Sequence, residues 1–528
     1  MKHICFLILL SIPLLFSHRV LAQPGSPDPA FGNVNGHTIT NFSPGWHSSS
    51  DGVAVQPDGR ILVAGGTWEP FDAGLELLAI VRYMPDGSLD PTFGTSGKKT
   101  LTINDLSIFA TDIAVLPNGR ILICGGAWNG DDERLLIVRL NADGTPDNSF
   151  DGDGMMTIKV GNLYQDANAL VVYPDGKFLV GGYANVNGYE EAIVLRFNAN
   201  GTPDISFGGG DGRINMALGE SYSGVEKLLL QPDGKIIAAC HATAGGYEKF
   251  AILRLLPNGT PDPTFSGDGY NMVSMSNFDN EPEAVGLQSD GKIVMVGACK
   301  ITPADRRVAA VRFLPNGMPD NTFGNNGIAL IDIDGAYEGA NATVVQADGK
   351  IVLGGYAYIN NEYSSMIIRL LPNGQLDTGF GDQGVSIQSI STLGDWIYDL
   401  TIQPDGKIIT TGSAWYDELN HLFVARFQNN VSVDTFFPGS VADNIKCFPN
   451  PTRTQSTLSI ELAEAGRLLS VKLYDLQGRF IMNLLSPALL PAGENRLALE
   501  FPAELPRGQY LLSVETDSAC QMLALTLQ

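Results

Sequence analysis

Carboxylates dominate the reactive side chains of this 528-residue chain, which has 57 Asp and Glu against 33 Lys and Arg and only 6 His. Two carboxyls held a few ångströms apart are the machinery of glycoside cleavage. The acid-rich composition therefore keeps a polysaccharide-active enzyme open as an alternative. His37, His47, His241 and His421 are the histidines beyond the N-terminal segment treated below. None belongs to an HExxH motif or stands at metal spacing with a Cys, and neither GxSxG nor a phosphate-cradling P-loop occurs. Isolated histidines of this kind read as surface or packing residues. Asp151-Gly152-Asp153-Gly154 and Ser266-Gly267-Asp268-Gly269 are the segments that could ligate Ca²⁺. Neither fits an EF-hand loop, turn chemistry explains both better, and no cofactor or metal is expected.

Two further sets of residues recur at fixed spacing. An Arg is followed eight residues later by an Asp in Arg82/Asp90, Arg139/Asp147, Arg196/Asp204, Arg254/Asp262, Arg312/Asp320 and Arg369/Asp377. A guanidinium fits a carboxylate bidentately, so each pair is expected to be a structural brace. Arg426 is expected to pair with Asp28. Trp68, Trp128, Tyr358 and Trp415 occupy one register of the same period, whose other members are Asn185, Thr243 and Lys300. An aromatic crescent with acidic neighbours (Asp131, Asp132, Asp417, Glu418) can stack on sugar rings or peptide side chains. The plainer reading is that these rings pack against adjacent loops.

The elements that position these residues follow from internal repetition. Asp-Gly or Asn-Gly begins at Asp58, Asn118, Asp175, Asp233, Asp290, Asp348 and Asp405, with spacings of 60, 57, 58, 57, 58 and 57. Alternating apolar runs flank each dipeptide, which reads as strand, two-residue turn, strand. A third run ends at the Arg. A second turn and Asp-x-x-Phe follow, and a fourth short run such as Thr100–Ile103 closes the unit. Four antiparallel strands in seven units predict a seven-bladed β-propeller, which the repeat length favours over a β-solenoid. The seventh unit is expected to stop after Arg426 and to take its last piece from Asp28-Pro29-Ala30-Phe31 and His37–Thr40. An N-terminal strand should therefore complete the last blade and leave no open edge. In such a ring the uniform turns share one face and the variable loops share the other, where binding is expected.

The ends differ from this array. Residues 1–22 combine a basic start, an apolar run from Ile4 to Phe16 and the small-residue site Val20-Leu21-Ala22, and read as a secretory signal peptide. No later stretch is apolar enough to span a membrane. A net charge of −24 argues against nucleic acid and against anionic lipid. A monomer is expected. Cys124, Cys240, Cys299, Cys447 and Cys520 form no disulfide scaffold, although Cys447 and Cys520 flank the C-terminal unit and a bridge between them stays open. The propeller is expected over 23–428 and a linker over 429–443. Short alternating runs over 444–528 predict a small Ig-like β-sandwich.

Two family resemblances have residues behind them. The x-Pro-Asp-Gly-Lys-Ile, Val-Arg-Phe/Leu, Pro-Asn-Gly and Asp-x-x-Phe-Gly pattern, as in Pro232–Ile236 and Val311–Gly324, resembles the delta-60 repeat of bacterial secreted proteins. It departs at Ser289 and Ala347, which replace the turn Pro, and at Asp151 and Ser266, which replace the Gly after Phe. That family implies a propeller scaffold and no established enzymatic activity. Residues 444–528 resemble the type IX secretion (Por) sorting domain. The resemblance is carried by Phe448-Pro449-Asn450-Pro451, by the Leu473–Arg479 segment with Asp475, Gly478 and Arg479, and by Leu505–Tyr510 with Gly508 and Tyr510. It implies handling by the type IX machinery and a secreted or outer-membrane surface location. The combined expectation is an exported binding or interaction scaffold for a glycan or protein. The alternatives are carboxylate catalysis at the ring centre or a purely structural surface protein.

Overall fold

The computed structural model describes residues 23–429, except 70–73, 131, 187, 334, 336 and 404, and the strands within 444–527. The signal segment, the linker and the Pro449, Asn450, Pro451, Asp475, Gly478 and Arg479 motif residues lie outside the described residues, as do the side chains of Cys447 and Cys520. No helix occurs among the described residues.

Seven four-stranded antiparallel sheets form the blades of a propeller. Blade 1 runs from an inner strand His47–Val55 through Ile61–Trp68 and Leu77–Tyr83 to an outer strand Lys98–Leu101. The same order repeats through blade 6. Blade 7 takes three strands, Asp395–Ile402, Ile408–Tyr416 and Leu419–Phe427, from the end of the array. Its fourth is His37–Thr40, in register with Leu422–Ala425. Second and third strands are buried on both faces because neighbouring blades cover them. Leu62, Ile80 and Phe93 of blade 1 share one apolar cluster with Ile108, Ile113 and Ile121 of blade 2. Phe31, from the N-terminal segment, packs with Val53 and Ile61 of blade 1 and with Ile409 and Val424 of blade 7. The hydrophobic effect thus acts around the ring between blades, and closure at blade 7 completes it.

The first hairpin differs in detail from the two-residue turn expected. Gln56 N donates to Arg60 O at 2.8 Å and Gly59 N to Gln56 O at 2.9 Å. Gly59 has φ +84 whereas Asp58 does not enter the left-handed region. The loop is therefore three residues, Pro57-Asp58-Gly59, a type I turn followed by a glycine bulge. Pro57 sets the first turn angle, and Asp58 Oδ1 accepts the Arg60 N–H at 3.1 Å.

Every inner strand also carries one β-bulge, between Ser50 and Gly52 in blade 1, Ala110 and Asp112 in blade 2, and Ala167 and Ala169 in blade 3. The remaining four fall between Val225 and Lys227, Pro282 and Ala284, Ala340 and Ala342, and Ile397 and Asp399. One residue per blade is thereby left unpaired on the innermost strand.

The C-terminal unit has two sheets. One orders Asn444–Phe448, Gln455–Leu462 and Gly493–Glu500, and the other orders Phe480–Leu485, Gly466–Tyr474, Gly508–Thr516 and Cys520–Leu527. Ala488–Leu490 pairs with Gly466–Tyr474 in the second sheet. Leu458, Ile460 and Leu499 from the first sheet and Val471, Leu512, Val514 and Tyr510 from the second build its core. Gly508 opens the strand that carries Tyr510.

Candidate functional site

The two faces of the ring carry different chemistry. On the turn face, each blade Arg meets the Asp assigned to it. Separations are 2.8 Å for Arg82 and Asp90, 2.7 Å for Arg139 and Asp147, 2.9 Å for Arg196 and Asp204, and 2.8 Å for Arg254 and Asp262. They are 2.9 Å for Arg312 and Asp320, 2.7 Å for Arg369 and Asp377, and 2.8 Å for Arg426 and Asp28 across the closure. The contact is not the bidentate fork expected. Asp90 Oδ2 takes Arg82, while Oδ1 accepts the Thr92 N–H at 2.9 Å and its hydroxyl at 2.7 Å. The freed Arg82 Nη1 donates to Ala142 O of the next blade, and Arg426 Nη1 does the same to Pro85 O at 2.6 Å. Blade 6 substitutes a side chain, with Arg369 Nη1 donating to Asn429 Oδ1 at 2.8 Å. Each guanidinium also lies over the Phe of its own Asp-x-x-Phe, from Arg82 on Phe93 at 4.7 Å to Arg426 on Phe31 at 4.6 Å.

A second cation reaches each Asp from the first turn. Arg60 lies 3.0 Å from Asp90, Lys235 3.3 Å from Asp262 and Lys407 2.9 Å from Asp28. Burial alone would push these carboxyls up. The surrounding donors and cations outweigh it and hold Asp262 and Asp320 at about 2 and Asp28 below its ordinary value. The second cation was legible as the basic residue after each Asp-Gly, but only the fold shows what it meets. Two clefts of 490 and 180 Å³ open on this face, at the junctions of blades 1 with 2 and 2 with 3.

On the variable face, three of the four crescent aromatics contact rings of their own surroundings. Trp68 stacks on His47 at 5.4 Å, and Trp415 tilts toward the same His47 at 6.2 Å. His47 Nδ1 accepts the Asn420 N–H at 3.0 Å, and burial lowers its pKa. Tyr358 tilts against Tyr363 at 4.9 Å, which in turn meets Trp396 at 5.1 Å. Trp128 is 47% exposed. The structure adds exposed aromatics that the strand-end register did not single out: Tyr164 at 58%, Tyr189 at 57%, Tyr222 at 54% and Tyr247 at 40%. These belong to the loops of blades 3 and 4, next to Trp128 of blade 2. Tyr222 is bridged through its backbone to Glu190, the neighbour of Tyr189, so the chains of two blades meet there.

Inside this aromatic arc, carboxyls from several blades face one axial mouth. The residue six places ahead of the blade Arg is Glu76, Glu133, Glu190, Glu248, Arg306, Tyr363 and Asn420 in blades 1 to 7. Inner-strand acids Asp166, Glu226, Glu281 and Glu283 join them. Burial pushes Glu76 up to about 7. It does the same to Asp166, with repulsion from Glu133, Asp51 and Glu76 adding to the shift. Two cationic groups answer this charge. Burial would lower His241, but its hydrogen bond with Glu226 holds its pKa up. Arg306 is committed to Glu281 and to the Tyr356 hydroxyl. Below the mouth, Lys227 of blade 4 reaches Asp112 of blade 2 at 3.2 Å.

Among the described residues, no group of three His, Cys, Asp or Glu side chains is arranged to hold a metal ion. Asp153 Oδ1 accepts Met155 N at 2.9 Å and Asp268 Oδ1 accepts Tyr270 N at 3.3 Å, so both acidic glycine-rich segments use their carboxylates in turns. Cys124, Cys240 and Cys299 are buried free thiols.

No curated protein matches the chain. Among solved structures it is similar to an endo-arabinanase from Bacillus licheniformis, with 9% identity, TM-score 0.27, and coverage of 49% of this chain and 92% of that one. A protein from Lactobacillus plantarum gives 10% identity, TM-score 0.34, and coverage of 72% and 99%. A mannose phosphorylase from Leishmania mexicana gives 11% identity, TM-score 0.27, and coverage of 49% and 81%. The family described as a domain of unknown function (DUF5122) beta-propeller matches residues 56–93, 116–150, 174–207, 231–265, 288–323, 346–380 and 403–437. A secretion system C-terminal sorting domain matches 446–524, which marks the chain for export and attachment at the outer membrane or cell surface. No helix among the described residues is long and apolar enough to cross a membrane. One family match falls in each of the seven blades and the other spans the two-sheet unit, so the chain belongs to the DUF5122 β-propellers and carries a secretion-system sorting domain at its C-terminal end.

Proposed function

We propose that this exported propeller is a glycan-binding module whose ligand lies on the variable face over blades 2 to 4. The observation that carries the reading is the exposed arc of Trp128, Tyr164, Tyr189, Tyr222 and Tyr247 beside the carboxyl-lined mouth. Flat aromatic faces stack on the C–H faces of sugar rings, and exposed aromatic rings grouped together are suited to a binding surface. Ionised carboxylates accept hydrogen bonds from sugar hydroxyls. The test is a polysaccharide and glycan binding screen of the mature protein beside a Trp128/Tyr189/Tyr222→Ala triple variant. A ligand held by the wild type and weakened at least ~10-fold in the folded variant is the expected result. Undiminished binding by the variant, or no glycan bound by the wild type, would overturn it.

A second reading is favoured by one observation, the carboxyls of Glu76 and Asp166 near 7. A carboxyl raised to that range can act as a general acid at neutral pH. Reducing ends released by the wild type and not by Asp166→Asn, from any glycan the screen identifies, would establish cleavage in addition to binding.

A further inference from the structure

The seven bulges place one unpaired residue per blade on the innermost circle: Asp51, Thr111, Asn168, Glu226, Glu283, Asn341 and Tyr398. In three blades that side chain is a hydrogen-bond donor to the next blade. Thr111 Oγ1 donates to Ala167 O, Asn168 Nδ2 to Val225 O at 3.1 Å, and Asn341 Nδ2 to Ile397 O at 2.7 Å. The acceptor in every case is the carbonyl just before the neighbouring blade's own bulge. By the same register, the carbonyls that follow blades 1 and 5 are those of Ala110 and Ala340, and the residues in the donor position are Asp51 and Glu283. An ionised carboxylate has acceptors only and would oppose a carbonyl oxygen. A protonated carboxyl has the O–H that the position requires.

We propose that Asp51 and Glu283 are held as neutral carboxylic acids that donate to the carbonyls of Ala110 and Ala340, and that their ionisation opens these two junctions, making the inner circle a pH-sensitive ring. Neither carboxyl makes a hydrogen bond or ion pair among the described residues. Asp51 faces Glu76 of its own blade, Asp399 and Tyr398 of blade 7, and Asp166 of blade 3, and none of these is a cation. Glu283 faces Glu226 and Glu248 of blade 4, Glu281 and Arg306 of its own blade, and Tyr356 of blade 6. Arg306 is already committed to Glu281 and Tyr356, and Lys227 to Asp112. Glu226 occupies the same position in blade 4 but is tied to His241 and accepts Asn168 Nδ2 at 3.3 Å. Burial and the like charges push Asp51 up to about 7 and Glu283 well above the ordinary carboxyl range.

The sign follows from linkage. A carboxyl raised in the folded state stabilises the fold in its neutral form, and that contribution is lost as pH rises through the folded value. The ring is therefore tightest in mild acid and loosens through neutrality. Thermal unfolding of the mature protein at pH 5 and pH 8 tests this with Asp51→Asn and Glu283→Gln, whose amides donate at either pH. Each variant is expected to exceed the wild type by about 2–4 °C at pH 8 and by clearly less at pH 5. A reciprocal variant, Asn341→Asp, is expected to lose stability between pH 5 and pH 8 where the wild-type residue does not. A gain of equal size at both pH values, a loss at pH 8, or an unchanged pH profile in Asn341→Asp would each overturn the proposal. The reciprocal variant decides the matter should the amide variants fail to fold.

Discussion

The two faces of the propeller were built from the same repeat and diverge in what they do with charge. On the turn face the Asp of each Arg–Asp pair is matched, Asp262 by Arg254, Lys235 and Thr264 for example, and is held ionised. On the variable face carboxylates outnumber their cations and are pushed toward neutrality, as Glu76 and Asp166 show. The matched face repeats because each blade needs the same joint to its neighbour. The unmatched face varies from blade to blade, and its excess of like charge costs stability.

The largest expected effect comes from cutting a matched joint at the ring closure. Arg426→Ala leaves Asp28 buried with Lys407 alone and removes the bond to Pro85 O and the contact with Phe31. A loss of about 3–5 kcal/mol is expected in denaturant unfolding. A loss below about 1 kcal/mol would show that the joint is dispensable and would break the comparison.

A smaller effect separates the faces by pH. Asp28, Asp262 and Asp320 have depressed pKa values, so their contribution is present above the ordinary carboxylate range and is lost as pH falls through the folded values, near 2 for Asp262 and Asp320. The mouth carboxyls act in the opposite sense, and their cost grows from about pH 4 to pH 7. A thermal-stability profile with one limb rising from pH 2 to 4 and another falling toward pH 8 is expected. Replacing Asp262 with Asn should flatten the acid limb and leave the other limb unchanged.

The smallest expected effect sharpens the contrast from the other side. Tyr189→Ala with Tyr222→Ala removes exposed rings that hold no blade together, and stability should stay within about 0.5 kcal/mol of wild type. A larger loss would assign these tyrosines to the scaffold.

What the sequence made legible was whatever the period repeats within one blade. The turn dipeptides, the eight-residue step from Arg to Asp and the displaced Asp28–Thr40 piece all lie along the chain, so their spacing reveals them. Contacts that run around the ring do not show in spacing. The Arg82 bond to Ala142 O joins residues 60 apart, and nothing local marks that carbonyl as an acceptor. The bulges were hidden for a related reason. Thr111 and Asn168 look like ordinary members of an alternating strand until register leaves them unpaired. On the variable face the strand-end register picks out Trp68 and Trp415 and passes over Tyr189 and Tyr222, which lie outside it. Spacing along the chain says nothing of exposure, nor of the contacts both Trp rings make with His47.

The route by which blade 7 is completed also determines how the molecule bears a mechanical load. The strand Leu419–Phe427 is the last of the array, and residues 444–528 follow it along the chain. It is hydrogen-bonded on one side to Ile408–Tyr416 and on the other to His37–Thr40. A pull from the C-terminal unit enters at the end of this strand, and its component along the strand axis loads both ladders. Both ladders then resist together in shear, where bonds must break in parallel, and the strand cannot be peeled off one pair at a time. Closing the ring with the N-terminal segment thus turns the last strand of the array from an open edge into a strand sheathed on both sides.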